Sequence, residues 1–233
     1  MKIGIIGAMD LEIEMLKEKM TVESTKTMAS MDFLEGTLEG KSVVIVKCGV
    51  GKVNAGMCSQ ILCSLYSVTH IINTGVAGSL QAKIDIGDIV VSTDAIQHDM
   101  DVTPLSYERG QIPGIAVKAF PADDMLRKVA LSACRKVNTD IQTYEGRVLS
   151  GDQFIATKET KDFLINTFGE ESACAEMEGA SIAQASYLNN VPFVVIRAIS
   201  DKADDSATMD YPTFERGAAL HSAGLVLEML KEM

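Results

Sequence analysis

Short, unbroken runs rich in valine and isoleucine recur along the chain: Ile3 to Ile6, Val43 to Val46, His70 to Ile72, Ile89 to Val91 and Phe193 to Ile199. A strand with one wet face alternates apolar and polar residues, so unbroken runs predict strands buried on both faces. Between them, apolar positions recur at helical spacing over 10–19, 52–66, 123–136, 158–167, 179–189 and 213–231. Strands alternating with helices predict an α/β fold, a three-layer sandwich around a central, largely parallel sheet. Residues 31–39 and 42–47, joined by Glu39-Gly40-Lys41, read as an antiparallel hairpin, which makes the sheet mixed. From His98 to Phe120 no period is visible, and the aromatics, prolines and glycines there mark an ordered loop of the kind that often carries function.

A chain of 233 residues suits one domain, 1–233. Its formal charge of -11, with no run of Lys or Arg, repels a phosphate backbone, so small molecules rather than nucleic acid are the expected partners. The cysteines, Cys48, Cys58, Cys63, Cys134 and Cys174, are odd in number and form no CxxC pair. They predict free thiols in a reducing, cytoplasmic compartment, with neither disulfides nor zinc. The apolar start, Ile3 to Met9, runs straight into Asp10, Glu12 and Glu14, unlike a signal peptide. No stretch approaches the ~20 apolar residues a membrane span needs, so no membrane partner is expected. His70, His98 and His221 lack metal-like spacing or a nucleophile partner and read as core or surface residues.

Candidate chemistry gathers where strands end. Glycines follow three of the runs, at Gly4 to Gly7, Gly49 to Gly56 and Gly75 to Gly78, and read as turns at one sheet edge. Ligands of open α/β sheets bind beyond the carboxyl ends of strands, where glycine lets backbone amides approach closely. None of the three has the dinucleotide-binding spacing. Acids sit at the same edge. Glu12 lies where a helix would begin, a position that the helix dipole alone also favours. Glu176-Met177-Glu178 falls at a strand-to-helix junction among small residues, and acids among apolar neighbours are costly unless paired or used. Arg197 stands inside a buried run and needs a carboxylate or ligand partner, while Asp201 stands at that run's exit. Carboxylates converging this way suit glycosyl chemistry, which needs an acid for the leaving group and a base for water.

In order along the chain stand MKIGIIGAM followed by Glu12, GVGKVNA at 49–55, INTGVAG at 72–78, HDMDVT at 98–103, GQIPG at 110–114, SGDQFI at 150–155, AEMEGASIA at 175–183 and VPFVVIRAISDKAD at 191–204. Together they resemble the 5'-methylthioadenosine/S-adenosylhomocysteine nucleosidases, a branch of the nucleoside phosphorylase family, over essentially the whole chain. The resemblance implies a nucleoside phosphorylase-like fold, adenine nucleosides as small-molecule partners, no cofactor and no metal. It implies Asp201 as the acid that protonates N7 of adenine, and Glu12, helped by Arg197, as the base for water. Glu178 would hold the ribose hydroxyls, with Met177 beside the sugar and Glu176 acting behind it. Phe154 would stack on the base and the Ile155 backbone would read its edge. Met9, Val50 and Tyr211 would line a pocket for the 5' group, and Val76, Ala77, Gly78 and Ser200 complete the implied binding set.

Two positions depart from the family's habit: Val76 stands where many relatives have serine, and Leu105 where an aromatic residue is common. The resemblance also implies a homodimer, in which the loop carrying Leu105 and Pro113 reaches into a neighbouring subunit's 5' pocket. A phosphorylase, a dinucleotide-binding module and a non-catalytic nucleoside receptor remain as competing readings. A receptor is expected to lack one of Glu12, Glu178 and Asp201, and a phosphorylase to carry arginines on its N-terminal loops. Here the first arginine is Arg109, and Lys52, the nearest cation, reads as a surface residue at a helix start.

Overall fold

The apolar runs form strands with two dry faces. In β1 (Lys2–Gly7), Ile3 and Ile5 face one hydrophobic layer and Ile6 the other. Residues 43 and 45 of β4 (Lys41–Lys47) alternate with 44 and 46 in the same way, as do the two sets in β10 (Phe193–Asp201). The computed structural model describes all 233 residues. Its other strands are β2 (Thr21–Met28), β3 (Met31–Leu38), β5 (His70–Ser79), β6 (Ile89–Gln97), β7 (Phe120–Pro121), β8 (Thr143–Ser150) and β9 (Ser172–Glu176). The helices are α1 (Asp10–Lys19), α2 (Lys52–Leu65), α3 (Asp124–Val137), α4 (Lys158–Phe168), α5 (Gly179–Leu188) and α6 (Ala207–Glu232).

Helices α2 and α5 cover one face of the sheet and α1, α3 and α6 the other, with cores of 28 and 27 buried residues between the layers. This is a three-layer α/β sandwich. The sheet is mixed: β4-β1-β5-β10 and β6-β8-β9 pair in parallel, while β2-β3-β4 is an antiparallel meander containing the hairpin expected at 31–47. Antiparallel pairing of β5 with β9 and of β10 with β6 joins the two parallel groups. Strands β5, β10, β6, β8 and β9 therefore close on one another, a ring that strand patterning did not anticipate.

The observed helices match the periodic segments within a residue or two, except at α6. That helix starts at Ala207 and carries Pro212 inside it. A proline usually opens a helix rather than sitting in its second turn, because it lacks the N–H that would bond the residue four before it. The other correction concerns the glycine turns: Gly4 and Gly7 belong to β1, Gly56 to α2, and Gly75 and Gly78 to β5. A side chain at Gly75 would stand 1.9 Å from Arg197 Nη1 and 2.4 Å from Glu12 Oε1, and one at Gly78 would stand 2.6 Å from Asp201 Oδ1. These glycines make room for functional groups of the site. Of the three segments read as turns, the second is one, with positive φ at Gly49 and Gly51.

Candidate active site

Three parallel strands deliver the site to one edge of the sheet. The turn after β1 leads into α1, where Glu12 is the third helical residue and turns its carboxylate back into the strand end. Its Oε2 accepts from the amides of Ala8 at 2.6 Å and Met9 at 3.0 Å, and its Oε1 from that of Val76 at 3.0 Å. The same carboxylate thus sits in the first turn of α1, where the helix dipole favours it, and at the end of β1. Asp10, by contrast, points outward to Lys47.

Arg197 lies on β10 directly beside Gly75 of β5 and has no exposed surface. Its Nη2 donates to Asn73 Oδ1 at 2.7 Å and to Glu176, and lies 3.6 Å from Glu178 Oε2. Nη1 is 3.9 Å from Glu12 Oε1, too far to bond, and neither Nη1 nor Nε has a hydrogen-bond partner. Glu176 also accepts from Ser150 Oγ and from the amides of Glu178 and Gly179, where α5 begins. Glu178 Oε1 accepts from the Gly51 amide at 2.9 Å.

Beyond Arg197, the register of β10 against β5 slips at Ser200, so that Asp201 faces Gly78. Such a bulge re-aims a side chain at a strand end. Asp201 is held by the Ala203 amide at 2.8 Å and by Ser200 Oγ at 3.0 Å. Burial raises the Asp201 carboxyl above the usual range, against the pull of those two hydrogen bonds, and Asp210 and Asp204 add to the rise. Burial also raises Glu12 against the opposing charge of Arg197, and raises Glu178, to which the neighbouring Glu176 contributes. One guanidinium faces three glutamates, so charge alone favours a proton on the cluster.

These groups open onto a cavity of about 510 Å³. Of the residues singled out from sequence, Glu12, Asp201, Met9, Val50, Val76, Ala77, Gly78, Phe154, Glu176, Met177, Glu178, Ser200 and Tyr211 line it. Phe154 is 48% exposed and meets the Tyr211 ring edge-on at 5.6 Å. Tyr211 reaches Met9 through its hydroxyl, 3.3 Å from the sulfur. Ile155 lies in a small adjoining cleft that shares Gly78, Phe154 and Asp201 with the main cavity. Arg197 stands behind the wall. Leu105, 69% exposed, and Pro113 do not line their own chain's cavity.

Sequence reasoning missed Ala8, Ala175, Thr208 and Pro212, which also line the cavity, and Asn73 and Ser150, which hold Arg197 and Glu176. Asn73 could have been found, as a polar residue breaking the apolar run of β5. Lys52 opens α2 and does not line the cavity, as expected, but it is only partly exposed: its ammonium donates to Asp99 at 2.6 Å and Gln97 at 3.1 Å.

Comparison with known proteins gives a consistent family. Residues 2–231 match the Phosphorylase superfamily. Over 233 residues the chain is 41% identical to a 5'-methylthioadenosine/S-adenosylhomocysteine nucleosidase of Anoxybacillus flavithermus, covering 100% of this chain and 99% of that protein. It is similar to the crystal structure of the enzyme of that name from Neisseria meningitidis in complex with methylthio-immucillin-A, with TM-score 0.95, 35% identity, and 100% and 99% of the two chains covered. A futalosine hydrolase of Helicobacter pylori is also similar, with TM-score 0.93 and 32% identity over 100% of this chain and 98% of that one.

Burial of Asp201 has a consequence for stability. Its folded-state pKa lies above the unfolded value, so its stabilising contribution is complete below the unfolded value and is lost as pH rises through the folded one. Asp201→Asn removes that loss without changing volume. The variant is expected to melt at a higher temperature than the parent at pH 8, with the gap shrinking toward pH 4. Thermal denaturation across that range checks it, and a constant gap would show that the carboxyl titrates normally.

Proposed function

Because the chain belongs to the Phosphorylase superfamily, we propose that it is a hydrolytic member, a purine nucleosidase acting as a single catalytic domain over residues 1–233. It cleaves the N-glycosidic bond of 5'-methylthioadenosine and S-adenosylhomocysteine, releasing adenine and the 5-thio-substituted ribose. The relative from Helicobacter pylori named a futalosine hydrolase supports 6-amino-6-deoxyfutalosine as a further substrate.

Asp201 supplies the proton. A carboxyl that burial raises above the usual carboxylate range holds its proton more readily and can protonate N7 of adenine, so that the base leaves neutral while the ribose takes on oxocarbenium character. Glu12 removes a proton from the attacking water, whose oxygen bonds to C1'. The observation that carries this reading is that Glu12 and Asp201, both raised by burial, line one cavity together with Glu178. Arg197 stands behind Glu12, with Nη1 3.9 Å from Glu12 Oε1, and acts on the base through its charge. Val76 offers no hydroxyl there, so water placement rests on Glu12 with that charge behind it. Glu178 accepts from the ribose hydroxyls, Met177 packs beside the sugar, Phe154 stacks on adenine, and the Ile155 backbone reads the Watson–Crick edge. Met9, Val50 and Tyr211 surround the 5' group.

Water, not phosphate, is the acceptor. No lysine or arginine lines the cavity, Arg197 is taken up by glutamates, and Lys52 by Asp99. A phosphate beside ionised Glu12 would be repelled by about 4 kcal/mol for each pair of unit charges at ~4 Å and an effective dielectric of ~20. The free buried cysteines suit a reducing compartment, the cytoplasm, and no helix is long and apolar enough to cross a membrane.

The active species is a homodimer. Leu105 and Pro113 are exposed on a loop from His98 to Ala119 whose one helical element is the short 3-10 helix Thr103–Leu105, and they suit an interface that completes a partner's 5' pocket. Sedimentation should give about twice the 25.1 kDa of one chain; a fully active monomer would remove this part of the proposal. For the reaction itself, 5'-methylthioadenosine should yield free 5-methylthioribose at a rate indifferent to millimolar phosphate. A ribose 1-phosphate product would place the chain among the phosphorylases.

A further inference from the structure

Outside the cavity, three charged side chains from three segments form a closed ring. Lys52 opens α2, Asp99 follows β6 and Asp152 follows β8. Strands β6 and β8 run parallel with Gln97 beside Ser150, so the two aspartates leave the sheet side by side, each two residues beyond that pair. The Lys52 ammonium donates to Asp99 Oδ1 at 2.6 Å, the Asp152 amide donates to Asp99 Oδ2 at 3.0 Å, and the Lys52 amide donates to Asp152 Oδ1 at 2.8 Å. The Lys52 and Asp99 side chains are 17% and 18% exposed, a setting in which charge-assisted hydrogen bonds are less screened than at the surface.

The ring joins two parts that reach the nucleoside site from different directions. Gly51, one residue before Lys52, gives its amide to Glu178. It holds a positive φ of 98°, and Asp152 Oδ1 stands 3.1 Å from where its side chain would be. Phe154, two residues after Asp152, forms the other cavity wall. His98 fixes the same loop from behind, since its ring leaves no room for a side chain at Gly151. None of Lys52, Asp99 and Asp152 lines the cavity.

We infer that Lys52, Asp99 and Asp152 are positioning residues that set the Gly51 amide against Glu178 and hold the Phe154 loop at the depth the base requires. This rests on the nucleosidase reading for its effect on turnover and on the ring geometry alone for its effect on the backbone. Both dependent groups, Glu178 and Phe154, bind substrate rather than transfer protons. Breaking the ring therefore weakens binding and leaves the proton-transfer step nearly intact.

The test uses the full chain as wild type, Lys52→Met, Asp99→Asn, the double variant and Lys52→Arg. Steady-state adenine release from 5'-methylthioadenosine is measured together with amide hydrogen exchange. In Lys52→Met, KM is expected to rise about tenfold, the effect of losing one charge-assisted hydrogen bond, with kcat within about threefold. Exchange should quicken over residues 50–52 and 152–155. Lys52→Arg should recover most of the KM, and the double variant should be no worse than the poorer single one, because either change opens the same ring. A KM that stays put while thermal stability falls would reduce the ring to a structural role and overturn the inference, as would a loss confined to kcat. If the wild type releases no adenine, the nucleosidase reading fails, and exchange still decides: unchanged rates at 50–52 and 152–155 in Lys52→Met would overturn the inference by themselves.

Discussion

A guanidinium with no exposed surface sits inside the sheet of this protein, and the arrangement of the site follows from satisfying it. Taking Arg197 out of water costs several kcal/mol unless carboxylates and hydrogen-bond acceptors surround it. The fold meets that demand from three strands: Asn73 inside β5, Glu176 at the end of β9 and Glu12 just past β1, with Glu178 beside them. Room for the group comes from Gly75, the neighbour of Arg197 across the β10–β5 pairing, where any side chain would overlap the guanidinium. The same burial that makes Arg197 expensive also pushes Glu12, Glu178 and Asp201 upward, against the opposing charge of Arg197 at the two glutamates.

That arrangement accounts for the choice of acceptor in physical terms. A phosphorylase must offer cations to a dianion, whereas here the positive charge at the sheet edge is already surrounded by glutamates. What remains at the cavity wall is the Glu12 carboxylate, with the guanidinium behind it. Such a site favours a neutral acceptor that can be deprotonated in place. The apolar remainder of the cavity, with Met9, Val50, Val76, Phe154 and Tyr211, suits an aromatic base and the thioether carbons of a 5'-thionucleoside.

Much of this was legible in the sequence, for identifiable reasons. Strands buried on both faces leave unbroken apolar runs, and helices lying on a sheet leave a clear period, so β1, β4, β5, β6, β10 and all six helices were visible. Strand β2 was not, because it is an edge strand exposed along most of its length, and β8 was not, because Glu145, Gly146 and Arg147 interrupt it. The start of α6 was hidden by Pro212, and with it Thr208 as a cavity residue. Arg197 and Asp201 stood out because charged residues inside or at the exit of an apolar run are costly without a use, whereas Glu12 occupied a helix start that the dipole alone favours and drew its role from the family resemblance. Gly75 and Gly78 were noticed for the wrong reason: they are strand residues kept small by Arg197 and Asp201, a cause that appears only when β10 is laid beside β5. The closure of β5, β10, β6, β8 and β9 into a ring depends on long-range pairing, on which local patterning is silent.

The central claim is that two burial-raised carboxyls divide the work, Asp201 giving a proton to the base and Glu12 taking one from water. Single-turnover adenine release from 5'-methylthioadenosine by Glu12→Gln and Asp201→Asn, each checked for a wild-type fold by circular dichroism, tests it most directly. Each variant should react at least about 10²-fold more slowly than the parent, since each loses one proton transfer while keeping its volume. A folded variant of either kind that releases adenine at close to the parental rate would contradict the account.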